Sequence, residues 1–157
     1  MNKDLNVTAC RPGDLSPSER AACVRIVRKG SAVNPESAAH EIPRAVLIAI
    51  VRDGGEIVGT GAIKRKRKKY ACDIALCSEY SFDSDTRELG YVAVNEKQRG
   101  KHLSDKILAA LLSQYDRPLF ATTGNERMKS ALKKAGFQRK GNDWRGNTGR
   151  LSLWLRV

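Results

Sequence analysis

The sequence predicts an α/β or α+β fold built on a mixed sheet. Three observations lead there. An apolar, β-branched stretch from Ala45 to Arg52 meets the turn Asp53-Gly54-Gly55 and a second extended stretch from Glu56 to Lys64, which reads as a hairpin. Extended and amphipathic segments then alternate from Glu88 to Phe137 as strand, helix, strand and helix. A second hairpin closes the chain, with Phe137 to Trp144 and Arg150 to Arg156 joined across Gly146-Asn147-Thr148-Gly149. Hairpins combined with a strand-helix-strand-helix-strand core require a mixed sheet.

In order along the chain, Leu5 to Ala9 reads as a short strand and Arg11-Pro12-Gly13-Asp14 as a turn. A helix start follows, with Ser16 as N-cap, Pro17 in the first helical position and Glu19 at the capping-box position. Ala22, Cys23, Ile26 and Val27 share one face of that helix, and Gly30 stops it. Pro35 to His40 reads as another short helix. The first hairpin comes next, and Gly59 and Gly61 in its second strand suggest a bulge or a close approach by another element. Tyr70 to Leu76 is expected as a short helix, Phe82 to Arg87 as a polar loop and Glu88 to Val94 as a strand. Leu103 to Tyr115 carries Leu103, Ile107, Leu108, Leu111 and Leu112 on one face, an amphipathic helix. Pro118 to Thr122 is a strand. Asn125 to Ala135 is a helix closed by Gly136, and Trp144 and Trp154 of the last hairpin read as core residues.

The chain of 157 residues fits one domain, 1–157, with no linker or repeat. Its longest apolar run, Ala45 to Val51, has seven residues, against the roughly 20 that a membrane-spanning helix needs. No apolar stretch follows Met1-Asn2-Lys3-Asp4, so no signal peptide is expected. The four cysteines, Cys10, Cys23, Cys72 and Cys77, form no C-x-x-C pair, and His40 and His102 lie far from any cysteine pair. That spacing does not suit zinc. Without a signal, reduced thiols in a cytoplasm are expected.

Lys and Arg number 29 against 17 Asp and Glu, a net charge of +12, which predicts attraction to polyanions. One run, Lys64-Arg65-Lys66-Arg67-Lys68-Lys69, carries +6, and Asn125 to Val157 carries +7. The run reads in two ways. It suits a nucleic acid or an import receptor, and equally a solvated surface that repels strand pairing at a sheet edge. Tyr70 is the one aromatic beside it, so base stacking is not indicated.

Most of the functional information lies in Glu88 to Leu112, ELGYVAVNEKQRGKHLSDKILAALL. A strand, a polar loop holding Arg99-Gly100-Lys101 and a helix follow one another. Amides at a helix N-terminus converge on an anion, and the helix dipole favours negative charge there. Arg99 and Lys101 add cationic donors.

This stretch resembles the acetyl-coenzyme A binding core of the GNAT family, the GCN5-related N-acetyltransferases. Val94 ends the strand, and Arg99 takes the first position of a Q/R-x-x-G-x-G/A loop. A second block, NERMKSALKKAGF from Asn125 to Phe137, is similar to the family's N-x-x-A-x-x-L-Y-x-K-x-G-F through Asn125, Lys134, Gly136 and Phe137. The resemblance covers Glu88 to Phe137. It implies a mostly antiparallel central sheet flanked by helices and acetyl-CoA as cosubstrate. It also implies acetyl transfer to a primary amine by direct attack in a ternary complex. Arg99, Gly100, Lys101, His102, Leu103, Ser104 and Asn125 are the implied cofactor contacts. Val92, Ala93 and Val94 would serve through their main chain, holding the pantetheine arm and polarising the thioester carbonyl.

Three departures from the pattern bear on the chemistry. His102 and Ser104 replace the loop's two small residues, and Leu132 stands where the family often places a Tyr that protonates the leaving thiolate. His102 reads either as an exposed loop residue or as a phosphate donor. Glu88 is the candidate base, matching a Glu that some members use through a water; the plain alternative is a solvated strand-end carboxylate. Tyr91, Asp85 and Glu79 are weaker candidates. The acceptor is left open among a small molecule, a peptide amine and an aminoacyl-tRNA, and the chain is expected as a monomer or homodimer away from membranes. The competing function is a non-catalytic or weakly catalytic module of the same fold that binds nucleic acid through Lys64–Lys69.

Overall fold

A computed structural model describes residues 5–30, 35–147 and 149–157. Met1 to Asp4 and Thr148, on which the leader expectation and part of the second turn fall, lie outside them, as do residues 31–34. The chain forms two compact units. One comprises Met1–Lys64 and Gly90–Asp116, the other Arg65–Leu89 and Arg117–Val157. Strand β4, Arg87–Val94, passes from the second into the first.

The first unit holds β1 (Leu5–Cys10), α1 (Pro17–Gly30), α2 (Pro35–Glu41), β2 (Leu47–Asp53), β3 (Glu56–Ile63), the end of β4, and α4 (Leu103–Leu112). Its strands lie in the order β1-β2-β3-β4. β1 pairs antiparallel with β2, Leu5 opposite Asp53 and Cys10 opposite Ile48, and β2 pairs antiparallel with β3. The expected capping box forms: Ser16 Oγ accepts from the Glu19 amide at 3.2 Å, and Glu19 Oε1 accepts from the Ser16 amide at 2.8 Å. Cys23, Ile26 and Val27 of α1 then pack with Ile48, Ile50, Ala62 and Tyr91 in one cluster.

Both glycine readings in β3 hold. Val51 faces Gly59 while Arg52 faces Ile57, so Val58 is an inserted residue. Its carbonyl accepts from the Asn95 amide at 2.8 Å. At Gly61 a Cβ would stand 2.5 Å from Cγ2 of the fully buried Ile107. The bare backbone there lets α4 lie directly on the strand.

The second unit holds α3 (Lys68–Ser78), the start of β4, β5 (Leu119–Thr123), α5 (Glu126–Lys134), β6 (Gln138–Gly146) and β7 (Gly149–Arg156), with strand order β4-β5-β7-β6. β4 and β5 are parallel, Arg87 opposite Leu119 and Glu88 opposite Phe120; β7 is antiparallel to β5 and β6. Ala71, Ile74, Phe120 and Leu153 form its cluster, and Trp144 packs against them. Trp154 is buried and donates its indole N–H to Ser152 Oγ.

The fold is thus of mixed α/β type, its strands mostly antiparallel and flanked by helices. The departures from expectation lie at element ends. α3 is longer than Tyr70–Leu76: it starts at Lys68 and ends where Glu79 turns left-handed at φ 57°. Two lysines in a first turn oppose the helix dipole, which hid that start. Lys69 pairs with Asp73 and Lys68 with Asp85, each at 3.3 Å. α4 ends at Leu112, short of Tyr115, where the amides of Gln114 and Tyr115 bond to Leu111 and Leu112 in a tighter turn. β2 starts at Leu47, because the Ala45 amide closes a 3-10 turn onto Ile42.

One expectation is corrected: Lys64–Lys69 is not a single exposed patch. Lys64 is buried, its ammonium 4.0 Å from the centroid of the Tyr91 ring, while Arg65, Lys66, Lys68 and Lys69 are exposed. Among the described residues no helix is long and apolar enough to cross a membrane.

Candidate active site

The first unit gathers Val92, Ala93, Val94, Arg99, Gly100, Lys101, His102, Leu103 and Ser104 along one continuous strand, loop and helix. The strand is irregular at Tyr91, where φ is +54°. An L-residue in the left-handed region within a strand is strained, and such strain persists where surroundings over-determine it. Here the ring is buried, Lys64 lies over it, and its hydroxyl is 3.2 Å from Ser37 Oγ. Past this irregularity come the three residues expected to serve through their main chain. Ala93 is buried, and Val92 and Val94 are half-buried.

A 3-10 turn, Glu96–Gln98, then turns the chain into the basic loop. Gln98 is buried. Its Nε2 donates to Asp53 Oδ2 at 3.1 Å, and its Oε1 accepts from Lys101 Nζ at 2.7 Å. Arg99 is exposed. Gly100 has φ +86°, and a Cβ built on it would meet no atom within 4 Å, so its backbone faces open space. His102 also takes the left-handed region, φ 55° and ψ 32°, as the residue before α4. Histidine tolerates that region better than most residues, so the loop keeps a turn that glycine would make more readily. Its ring is largely exposed, and its side chain does not cap the helix. Leu103 is buried and anchors the first turn; Ser104 is half-buried beside it. An open glycine backbone, an uncapped helix start and two cationic side chains match what a diphosphate needs.

Glu88 and Asn125 lie in the second unit. Glu88 is buried within β4, not solvated at the strand's end. Asn125 is the N-cap of α5, its Oδ1 accepting from the Met128 amide at 3.0 Å. Leu132 is fully buried and its carbonyl accepts from the Phe137 amide, so it is a core residue. Glu79 accepts from Asn142 at 2.6 Å and Asp85 pairs with Lys68, which ties both to local structure. All four cysteines are free. Burial pushes the Cys23 and Cys10 thiols up, which leaves neither as a ready thiolate.

Sequence reasoning missed Gln98 and Ser37. Neither carries a local signal. Gln98 acquires its partner from a turn 45 residues earlier, and Ser37 from a strand 54 residues later.

Residues 21–137 match the acetyltransferase (GNAT) family. No curated protein matches the chain. Among solved structures, a GNAT-family acetyltransferase from Streptococcus agalactiae aligns with TM-score 0.69 at 13% identity, covering 100% of this chain and 97% of that one. An acyl-CoA N-acyltransferase from Pseudomonas aeruginosa aligns with TM-score 0.67 at 12% identity, covering 98% and 99%. RimL, a ribosomal L7/L12 alpha-N-protein acetyltransferase in complex with coenzyme A, aligns with TM-score 0.59 at 10% identity, covering 99% and 94%. These likenesses bear on the fold.

Proposed function

From the premise that the chain belongs to the acetyltransferase (GNAT) family, and is therefore an acyl-CoA-dependent N-acyltransferase with acetyl-CoA as cosubstrate, we propose that it moves the acetyl group directly onto a primary amine within a ternary complex. The observation that carries this reading is the loop from Arg99 to Ser104, with its open Gly100 backbone and its uncapped entry into α4. In this reading Arg99, Gly100, Lys101, His102, Leu103 and Ser104 hold the diphosphate, and Asn125 lies along the cofactor. The main chain of Val92, Ala93 and Val94 holds the pantetheine arm, and an N–H there polarises the thioester carbonyl, as an oxyanion donor does.

The cosubstrate supplies a thioester-activated acetyl group. The residues do the rest. An amine arrives protonated and must lose a proton before it attacks. Glu88 takes that proton through a water; its buried place in β4 supports a role other than solvation. Leu132 brings no acid. A thiolate can depart without one because thiols are far stronger acids than alcohols.

The acceptor is an amine on a small molecule, a peptide or an aminoacyl-tRNA, met in the cytoplasm and not at a membrane. The two units act as one domain, as a monomer or homodimer. A second reading, nucleic-acid binding, is favoured by one observation. A groove of about 360 Å3 is lined by Arg65, Lys66, Arg67, Lys68, Lys69, Tyr70 and Asp73, with the Arg67 guanidinium 4.8 Å from the Tyr70 ring centroid.

The deciding experiment combines thiol release from acetyl-CoA across an amine library with thermal shift on coenzyme A. Joint replacement of Gly100 and Ser104 by Trp is expected to abolish the shift. A shift that survives intact removes the loop assignment.

A further inference from the structure

We propose that Gln98 is a positioning residue that presents the Lys101 ammonium to the cofactor's diphosphate; this rests on the reading that Arg99–Ser104 hold that diphosphate. Gln98 precedes the loop and is buried, yet both ends of its side-chain amide are engaged. The Asp53 carboxylate accepts only, and the Lys101 ammonium donates only. Together they fix which way the amide points: N–H toward Asp53 and carbonyl toward Lys101. The carbonyl takes one of three ammonium protons at 2.7 Å, which leaves two for oxygens of an anion.

Asp53 is the last residue of β2 and opens the turn into β3, so the relay ties the loop to a hairpin. A neutral amide between the two charges matters. A carboxylate in direct contact with Lys101 would compete with the phosphate for it, whereas the amide orients the cation without cancelling its charge. An unanchored lysine side chain would lose rotamer freedom on binding, and prior anchoring lowers that cost.

The test measures coenzyme A affinity by calorimetry at several salt concentrations. Gln98→Met keeps the side chain's length and removes both hydrogen bonds. It is expected to weaken coenzyme A binding about tenfold, as loss of a charge-assisted contact does, and to flatten the salt dependence of affinity. Gln98→Glu, which sets a carboxylate against Lys101, is expected to weaken it further. A purely structural Gln98 would shift affinity without altering the salt slope; that outcome, or an unchanged affinity, overturns the proposal. If Gln98→Met folds poorly, Asp53→Ala at the exposed turn carries the same test, with a smaller shift in the same direction. The Gly100 and Ser104 double replacement separates the two levels of argument. If it leaves coenzyme A affinity intact, the loop reading has failed; if it abolishes binding while Gln98→Met and Asp53→Ala bind normally, only the role of Gln98 has failed.

Discussion

The ammonium of Lys64 lies 4.0 Å from the centroid of the Tyr91 ring, and both residues are buried. Tyr91 is also the residue at which β4 turns left-handed. The first residue of the basic run therefore braces the strand irregularity, and its charge is not offered to solvent.

The first prediction concerns that pair. A desolvated cation over an aromatic face contributes about 2 kcal/mol. Lys64→Met, Tyr91→Leu and the double variant, unfolded in urea, are expected to give a coupling energy of that size. A coupling near zero would mean that the ring and the ammonium merely share space.

The second concerns acid stability. The Ser16 amide first, and Arg52 Nη2 at 2.6 Å second, hold the Glu19 carboxyl below the ordinary glutamate range. A carboxyl whose folded pKa lies below its unfolded one stabilises fully above the unfolded value and loses that contribution as the pH falls through the folded one. The melting temperature is expected to drop on acidification through the carboxylate range, and Glu19→Gln should shrink the drop. An identical acid profile in the variant removes Glu19 from it. Ser16→Ala, which deletes the other half of the box, should cost about 1 kcal/mol.

The third concerns Leu132, at the position where the resemblance implies a Tyr. Leu132 is fully buried. A larger side chain with a hydroxyl overfills such a site by roughly 1–3 kcal/mol. Leu132→Tyr is expected to lower the melting temperature without raising turnover. A faster enzyme would show that an acid had been missing and that the core can make room.

How much of this was legible beforehand differed by element. The capping box at Ser16 and Glu19 and the hairpin at Asp53-Gly54-Gly55 are local devices, set by residues three or four apart, and both form as expected; Asn125, expected as the first residue of a helix, is instead its N-cap. The β3 glycines announced the bulge and the approach of Ile107 because missing side chains have few other uses in a strand. What could not be read was long-range. Nothing near Lys64 says that Tyr91 will lie under it, and nothing near Gln98 names Asp53. Boundary errors arose where a local rule lost: the lysine-led start of α3 is offset by Asp73 and Asp85. At the loop, the motif points to a chain segment, whereas the open backbone of Gly100 and the left-handed turn of His102 are set by the fold and have no local signature.

The fourth prediction concerns Glu88. A base acts in the transition state and not in cofactor binding, so Glu88→Gln should lower kcat and leave coenzyme A affinity nearly unchanged. Loss by at least about a hundredfold is the scale of general-base catalysis. Wild-type turnover at every pH would remove Glu88 from the mechanism. Because Glu88 is buried in β4, the melting temperature must be measured in the same variant, so that a folding defect is not scored as a chemical one.

The last prediction concerns the remaining five cations of the run. Lys64 is committed to Tyr91, Arg67 stands over Tyr70, and Lys68 pairs with Asp85. Arg65, Lys66 and Lys69 are exposed, and Lys69 pairs with Asp73 only across a solvent-exposed turn of helix, a contact that contributes at most about 0.5 kcal/mol. If the groove draws in a phosphate-rich acceptor, replacing these three with Gln should weaken binding of an RNA oligomer and reduce the log-log salt slope by about one per lost phosphate contact. If the run serves solubility alone, acceptor kinetics stay the same and only solubility falls. Coenzyme A affinity must be followed in parallel, because the cofactor carries phosphates too. It is expected to hold: in the proposed reading the diphosphate is met by Arg99–Ser104, and none of the three replaced residues belongs to that loop. A loss confined to coenzyme A would reassign the groove to the cofactor and take away the main support for nucleic-acid binding.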